Sequence, residues 1–441
     1  MSVSVHKDIS GDGADAIAAS IEAGVDAGTL APGAALPSVR GLAAHLGVSP
    51  TTGAAAYRTL RRRGVIVTHD RSRTVIAHRS PALGSVTPPV PEGAVDLASG
   101  NPDPALLPDL PAALRRIEVP TRLYGDADMV PELLDRTRDW FAADGVPADH
   151  LAVVVGALDG IERVLSVHVR PGDRVAVEDP AYAGVLDLVR ALGLVPAPVA
   201  IDIEGPLPDA LDRVLRTGVA SVVVTPGAQN PSSAALTPER ARQLGEVLAA
   251  HPRVLVVEDD HASAVAGPEA LTLTAGRERF AVVRSFAKAL GPDLRVAVLA
   301  GDQRTVQRVR GRQHVGHGWV SHVLQRLTLE LWRTAAGDGT LDRARSVYAT
   351  RRDAVVAALA VRDVAAWGRS GMCVWVPVRV EGPVLQALLT TGWVAQAGEL
   401  YRLVSPPAIR LSVGALPVEL APALADAVAA AVTARDATRL A

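Results

Sequence analysis

Lysine is nearly missing from this chain. Of its 45 basic residues only Lys7 and Lys288 are lysine, and the others are arginine. Wherever a plain positive charge suffices, the sequence uses a guanidinium, which stays protonated. A lone lysine in the body of the chain therefore points to chemistry that needs an amine able to lose its proton and form an imine. Cysteine is scarcer still. The single Cys373 excludes an internal disulfide and suits a reducing cytoplasm. Its neighbours, SGMCVWVPV, read as a buried strand, so it counts as core and not as a nucleophile. No uncharged run approaches bilayer length, and the opening residues lack the basic and apolar regions of a secretory signal, so no membrane association is expected. His314 and His317 stand three apart without Cys or carboxylate partners, and no metal is expected.

What is present is a long, apolar, globular chain. Its 441 residues are 49% hydrophobic, enough for two or three domains around a sizeable core. The net charge of −2 is unevenly spread. Between Leu36 and Ser80, arginines at 40, 58, 61, 62, 63, 71, 73 and 79 face only Asp70. Such a basic island ahead of a mildly acidic body suggests a polyanion-binding module.

Helical spacing is predicted over 13–28, over 38–46, and from Pro50 to Gly64. Ser49-Pro50 supplies a cap and a pre-set first turn. In this third helix Ala54, Tyr57 and Leu60 would face the core. VIVTH and TVIAH read as two strands around a basic turn, so the N-terminal layout is a winged helix-turn-helix. The Pro-rich stretch with Pro81, Pro88, Pro89 and Pro91 reads as a semi-extended linker. From about 95 onward apolar strands alternate with helices at 157–169, 183–193, 206–216 and 236–250, which implies an α/β fold with a mostly parallel sheet between helices. Beyond about 340 the pattern predicts a helix, three short strands and a terminal helix, a smaller α+β domain. The expected division is thus 1–80, a linker at 81–94, 95–340 and 341–441.

Ligands of doubly wound sheets sit at the carboxyl ends of strands, and chemically loaded residues fall there. LAVVV is followed by Gly156-Ala157-Leu158, DRVAVE by Asp179-Pro180-Ala181-Tyr182, and SVVVTP leads to Gln229-Asn230-Pro231. VLVVE is followed by Asp259-Asp260-His261, and FAVVR by Ser285-Phe286-Ala287-Lys288, with Arg295 beyond. An anion site, an aromatic face, an amide, a carboxylate, a lysine and an arginine suit a flat, phosphorylated, cationic-ring aldehyde.

With these motifs residues 95–441 resemble a class I/II, fold-type I aminotransferase that uses pyridoxal 5′-phosphate. Residues 13–78 resemble the GntR winged helix, through Leu36-Pro37-Ser38-Val39-Arg40-Gly41-Leu42-Ala43 and Leu46-Gly47-Val48-Ser49-Pro50-Thr51-Thr52. Joined in this order they resemble the MocR subfamily of GntR regulators. The resemblance implies that Lys288 forms the aldimine, with Ser285, Arg295 and the Gly156-Ala157-Leu158 turn at the phosphate. Asp259 would pair with the pyridinium nitrogen, Asn230 with the ring hydroxyl, and Tyr182 would stack on the ring. It further implies Tyr124 reaching a phosphate across a homodimer interface, Arg410 clamping a substrate carboxylate, and GNPDP at 100–104 closing over it. Arg40, Ser49, Thr51 and Thr52 would touch DNA, with Arg58, Arg71 and Arg73 at phosphates or the minor groove.

Four positions depart from the family pattern. His261 stands where a tyrosine is usual, in contact with the ring oxygen, and its titration near neutrality would make the site pH-sensitive. Leu158 and Asp159 replace a Gln pair beside the phosphate, Ser232-Ser233 replaces Thr-Gly, and Gly53 sits at a β-branched position in the recognition helix. The reading is a DNA-binding transcriptional regulator that senses pyridoxal phosphate or an amino compound through Lys288. The alternative is an aminotransferase carrying an appended DNA-binding domain.

Overall fold

The computed structural model describes residues 9–31, 33–62, 64–69, 73–76, 88–267 and 270–433. It divides into two units, the first holding the N-terminal residues and the second nearly all of the remainder.

In the N-terminal unit, α1 (Ala14–Asp26), α2 (Val39–Leu46) and α3 (Pro50–Arg62) precede a hairpin of β1 (Ile66–His69) and β2 (Arg73–Ile76). Ser38 caps α2 by accepting from the Gly41 amide, and Gly47 ends it at φ 68°. The core is built from Ile17, Ile21, Leu42, Tyr57, Leu60 and Ile76. Burial along α3 falls on Gly53, Ala56, Tyr57 and Leu60, and Ala54 is only half-buried, so the buried stripe lies one residue to the side of the predicted one. Gly53 has a packing reason: a Cβ there would meet the Val39 carbonyl oxygen at 3.3 Å, so glycine lets α3 lie close on α2. The wing is broader than two strands. Gly33 and Leu36 donate to the carbonyls of Ile76 and Thr74, and Ile76 donates to Ala34, which adds the 33–36 segment alongside β2. Arg71 and residues 81–87 of the expected linker lie outside the described residues, and the side chain of Arg73 does too.

The second unit opens with β3 (Val95–Leu97), α4 (Leu110–Leu114) and α5 (Pro131–Ala143). Alternation then begins: β4 (Leu151–Val154), α6 (Ala157–His168), β5 (Arg174–Asp179), α7 (Ala183–Ala191), β6 (Val195–Asp202), β7 (Gly205–Pro206), α8 (Pro208–Leu215), β8 (Ser221–Val224), α9 (Pro238–Ala249) and β9 (Leu255–Asp260). It continues through β10 (Phe280–Ser285), α10 (Ala287–Leu290), β11 (Ala297–Gly301), α11 (Gln303–Val315) and α12 (His322–Gly337). The sheet order is β4-β11-β10-β9-β8-β5-β6-β7. β5, β8, β9 and β10 are parallel neighbours, and β11 runs antiparallel between β10 and β4. β4, β8, β10 and β11 are buried at every residue, as strands covered on both faces must be. β6 lies on one side of β5 and β8 on the other, so the crossovers diverge at the carboxyl end of β5, where a ligand crevice is expected.

The C-terminal part comprises α13 (Thr340–Ala360), β12 (Cys373–Pro377), α14 (Glu381–Thr390), β13 (Trp393–Ala397), β14 (Ala408–Ser412) and α15 (Ala421–Thr433). Two features differ from the predicted pattern. α14 separates the first two strands, and β3, from the far end of the unit, pairs parallel with β13 to give a four-stranded sheet. An expected boundary at 95 would have left β3 with the larger sheet. Among the described residues no helix is long and apolar enough to cross a membrane.

Candidate functional site

The fully buried β10 delivers Ser285 to the sheet edge, and Lys288 follows in the single turn of α10. Its Nζ donates to the carbonyl of Gly100. A Cβ on Gly100 would stand 3.9 Å from both Lys288 Nζ and Arg410 Nη1, so the GNPDP segment passes directly over the lysine. Burial lowers the Lys288 pKa; Cys373 opposes that shift and Arg410 adds to it. The amine is thereby biased towards its neutral, nucleophilic form.

Asp259 sits in register with Val283 on the neighbouring strand, one residue before the end of β9. It is 3% exposed, and its Oδ1 is buried without a hydrogen-bond partner among the described residues. Burial, and then the charge of Asp260, push its carboxyl up to about 7. A buried carboxylate oxygen left unmatched is costly, and the protonated nitrogen of a pyridinium ring is the partner that would match it. Asp260 faces the other way: it takes Arg284 Nε at 2.6 Å, and the same guanidinium reaches Asp144 at 2.8 Å.

Arg410, on β14, is 4% exposed, not the surface arginine its flanking sequence would allow. Its Nη1 donates to Asn230 Oδ1 at 3.2 Å, its Nη2 to the carbonyl of Ala98, and its guanidinium lies 5.0 Å from the Tyr401 ring centroid. Its Nε is buried with no partner among the described residues. Lys288, Gly100, Arg410 and Asn230 are thus joined through contacts from four separate stretches of chain.

Gly156 is the N-cap of α6, and Ala157 and Leu158 are its first residues. Gly156 has φ 85°, a backbone conformation that favours glycine, and a Cβ there would also press on Arg295 Nη2 at 2.7 Å; that arginine donates to the Val155 carbonyl at 3.3 Å. Ser285 Oγ accepts from the Ala287 amide at 3.2 Å. Asp159 is disarmed: its Oδ2 takes the Val155 amide at 3.0 Å and Arg163 Nε at 2.9 Å, and its Oδ1 takes Arg163 Nη2 at 2.8 Å. The carboxylate is tied back along α6, and its charge is balanced there.

One expectation turns out differently, and two further expected residues can be located. The pH-sensitive His261 is corrected: burial, and then the Lys288 charge, push its pKa down to about 3, so the imidazole is neutral throughout the physiological range. Tyr182 is half-buried against Ala183, Trp375, Tyr401 and Ala408. Tyr124 is 95% exposed and meets Trp319 edge-on.

Sequence reasoning placed Asp179 at a strand end without giving it a role, and missed Tyr401. Asp179 accepts the amides of Leu403, Val404 and Ser405 and the Ser405 hydroxyl, at 2.8–2.9 Å, and the Ala181 amide donates to the Tyr401 carbonyl. This clasp sets the position of the Tyr401 ring beneath Arg410. Its only sequence signal is an acidic residue at a strand end, which usually means a cap.

In the N-terminal unit Arg40, Ser49, Thr51 and Arg58 are exposed and Thr52 is half-buried. Ser49 Oγ accepts from the Thr52 amide at 3.1 Å and pairs with its hydroxyl at 2.8 Å, so these two residues cap α3. Arg40, Thr51 and Arg58 make no side-chain hydrogen bond or ion pair among the described residues, and all three are exposed.

A winged helix ahead of a mostly parallel sheet with a half-buried lysine and a buried carboxylate and arginine defines the class. Residues 92–428 match the family of aminotransferases of class I and II, and residues 14–76 match the bacterial regulatory proteins of the gntR family. The chain belongs to the class I and II aminotransferase family, in the composite form with a GntR domain that characterises MocR-type regulators. It is 36% identical over 406 residues to the vitamin B6 salvage pathway transcriptional repressor PtsJ of Salmonella typhimurium, covering 90% of this chain and 93% of that one. It is 28% identical over 393 residues to the HTH-type transcriptional regulator TauR of Rhodobacter capsulatus, covering 79% and 80%. Among solved structures it is similar to LysN, the alpha-aminoadipate aminotransferase of Thermus thermophilus complexed with N-(5′-phosphopyridoxyl)-L-leucine. That match has a TM-score of 0.70 at 23% identity, over 79% of this chain and 94% of the other. The fold is therefore a fold-type I aminotransferase joined to a winged helix.

Proposed function

We propose that this protein is a cytoplasmic, homodimeric transcriptional regulator that binds operator DNA through its winged helix and responds to pyridoxal phosphate, or to an amino compound, at Lys288. The observation that carries the cofactor is the buried oxygen of Asp259, without a partner among the described residues, together with a lysine whose pKa burial has lowered. Bound there, pyridoxal phosphate supplies an aldehyde that condenses with amines and a ring that accepts electron density. Lys288 offers the amine, and Asp259 accepts the hydrogen bond of the ring nitrogen. Ser285, Arg295 and the first amides of α6 hold the phosphate, Asn230 meets the ring hydroxyl, and Arg410 holds a carboxylate in its planar fork. The exposed Leu123 and Tyr124, at 70% and 95%, support a second copy of the chain as partner. The likeness to a repressor of vitamin B6 salvage supports the cofactor itself as a signal.

A second reading, aminotransferase turnover, is supported by the buried Arg410 and its hydrogen bond to Asn230. Fluorescence anisotropy on the intergenic DNA upstream of the gene separates the two. The regulator binds that DNA, changes affinity when pyridoxal phosphate is added, and loses the response in Lys288→Ala and the binding in Arg40→Ala. DNA affinity indifferent to both the cofactor and Arg40, with multiple turnovers of amino and keto acids, would overturn the regulator.

A further inference from the structure

A second cavity lies within the larger unit, of about 420 Å³. Its walls come from β6, α8, the end of β5, β12 and the 404–408 segment, and none of Lys288, Asp259, Asn230, Tyr182 or Arg410 lines it. The volume falls in the range of small-molecule pockets, roughly 300–1,000 Å³.

Its walls are mostly apolar and unusually stiff. Trp367 and Trp375 exchange backbone hydrogen bonds at 2.8 and 2.9 Å, which fixes both indoles on one narrow ladder. Opposite them, Val404, Pro406 and Pro407 belong to the loop that Asp179 holds with four hydrogen bonds. Two prolines and that clasp leave the wall little freedom to lose on binding, so the pocket is largely pre-formed. Val404 is 77% exposed, a large apolar side chain kept in water at the rim.

The polar groups are few and unequal. Both oxygens of Asp179 are occupied by the clasp, and Ser405 Oγ is spent on the same carboxylate. Arg213, in the last turn of α8, is exposed and has no hydrogen bond or ion pair among the described residues. An aromatic and proline-lined cavity with one free guanidinium at its edge matches a molecule with an apolar body and a single negative charge.

We propose that this cavity is a second ligand site, distinct from Lys288, for a small amphipathic anion: an aromatic or branched apolar body carrying one carboxylate or sulfonate. The site stands independently of the cofactor reading. It can be tested on the full-length, cofactor-loaded protein with 8-anilinonaphthalene-1-sulfonate and its uncharged parent N-phenyl-1-naphthylamine, followed by fluorescence. The sulfonate is expected to bind saturably, one per chain. Arg213→Ala should weaken it about tenfold, the worth of one charge-assisted hydrogen bond, and leave the uncharged probe unchanged. Ala200→Trp, at an exposed lining position, should exclude both probes. The visible absorbance of the cofactor at Lys288 should be the same in both variants, which separates failure here from failure at Lys288. Absence of saturable binding, equal sulfonate affinity in Arg213→Ala, or undiminished binding in Ala200→Trp would each overturn the assignment.

Discussion

Arg410 Nη1 donates to Asn230 Oδ1 at 3.2 Å, so the group suited to a carboxylate and the amide suited to a ring hydroxyl form one bonded unit. On the function proposed above, an incoming carboxylate would be read by a side chain already bonded to Asn230. In Arg410→Met, an amino acid and the matching amine without a carboxylate should perturb the visible spectrum of the cofactor-loaded protein with similar affinity. In the parent protein the amino acid should be favoured about tenfold or more, as a charge-assisted pair requires. Spectrophotometric titration of alanine against ethylamine checks this, and a preference that survives the substitution would remove Arg410 from the site.

The tied-back carboxylate of Asp159 leads to a second expectation. Arg163 holds it at 2.8 and 2.9 Å, four residues along the same helix whose first amides are proposed to hold the phosphate. Removing the guanidinium in Arg163→Met leaves a bare negative charge beside a phosphate dianion. A repulsion of about 1 kcal/mol at this partly exposed site would weaken cofactor binding about fivefold. Asp159→Asn combined with Arg163→Met should restore it, because the amide removes the charge that needed balancing. Equilibrium titration of the cofactor in the single and double variants measures both values; a double variant as weak as the single would assign the loss to packing.

The site was legible in the sequence where it depends on strand ends, and illegible where it depends on contacts between distant segments. Buried runs such as FAVVRS announce a covered parallel strand, and that fixed Lys288, Asp259 and Asn230 to one edge before any contact was known. The mates of Arg410 are different in kind. Ala98 and Asn230 are 312 and 180 residues away along the chain, and no local period encodes them. β3 went unplaced for the same reason: three residues pair with a strand almost 300 positions later, and so short a segment carries no alternation to read. α14 was missed because EGPVLQALLT opens with a Gly-Pro pair that looks like a turn. His261 was misread because a reference pKa applies to a solvated ring, and burial overrode it.

At the DNA-binding face, division of labour between the hydroxyls and the arginines gives a third expectation. Ser49 and Thr52 cap α3, so Ser49→Ala should cost about 1 kcal/mol of stability, seen as a lower unfolding midpoint in the isolated protein without DNA. Arg40 is exposed and performs no capping, so Arg40→Ala should leave that midpoint unchanged. It should instead reduce the slope of log affinity against log salt by about 0.9, one phosphate contact. An unchanged salt slope would place Arg40 off the DNA.

The carboxyl of Asp259 makes stability depend on pH in a direction opposite to that of an ordinary surface carboxylate. Burial and Asp260 raise its pKa to about 7, so the cofactor-free fold holds this proton more tightly than the unfolded chain does. The stabilisation is complete below the unfolded value of about 4 and is lost as pH climbs towards 7. Glu258 and Glu178, both buried and raised to about 7 and about 8, act with the same sign. His261 and His168, with pKa values pushed down to about 3 and about 4, oppose this below about pH 6.5. The three carboxyls act together and over a wider span, so the unfolding midpoint of the cofactor-free protein should fall between pH 5 and pH 8. Asp259→Asn should fall less over the same span, because its amide has no proton to lose. Adding pyridoxal phosphate should flatten the parent's profile and leave the variant's slope as it was: a donor at Oδ1 supplies the partner that the buried oxygen lacks, and draws its pKa back down. A parent profile indifferent to the cofactor would show that nothing donates to Asp259.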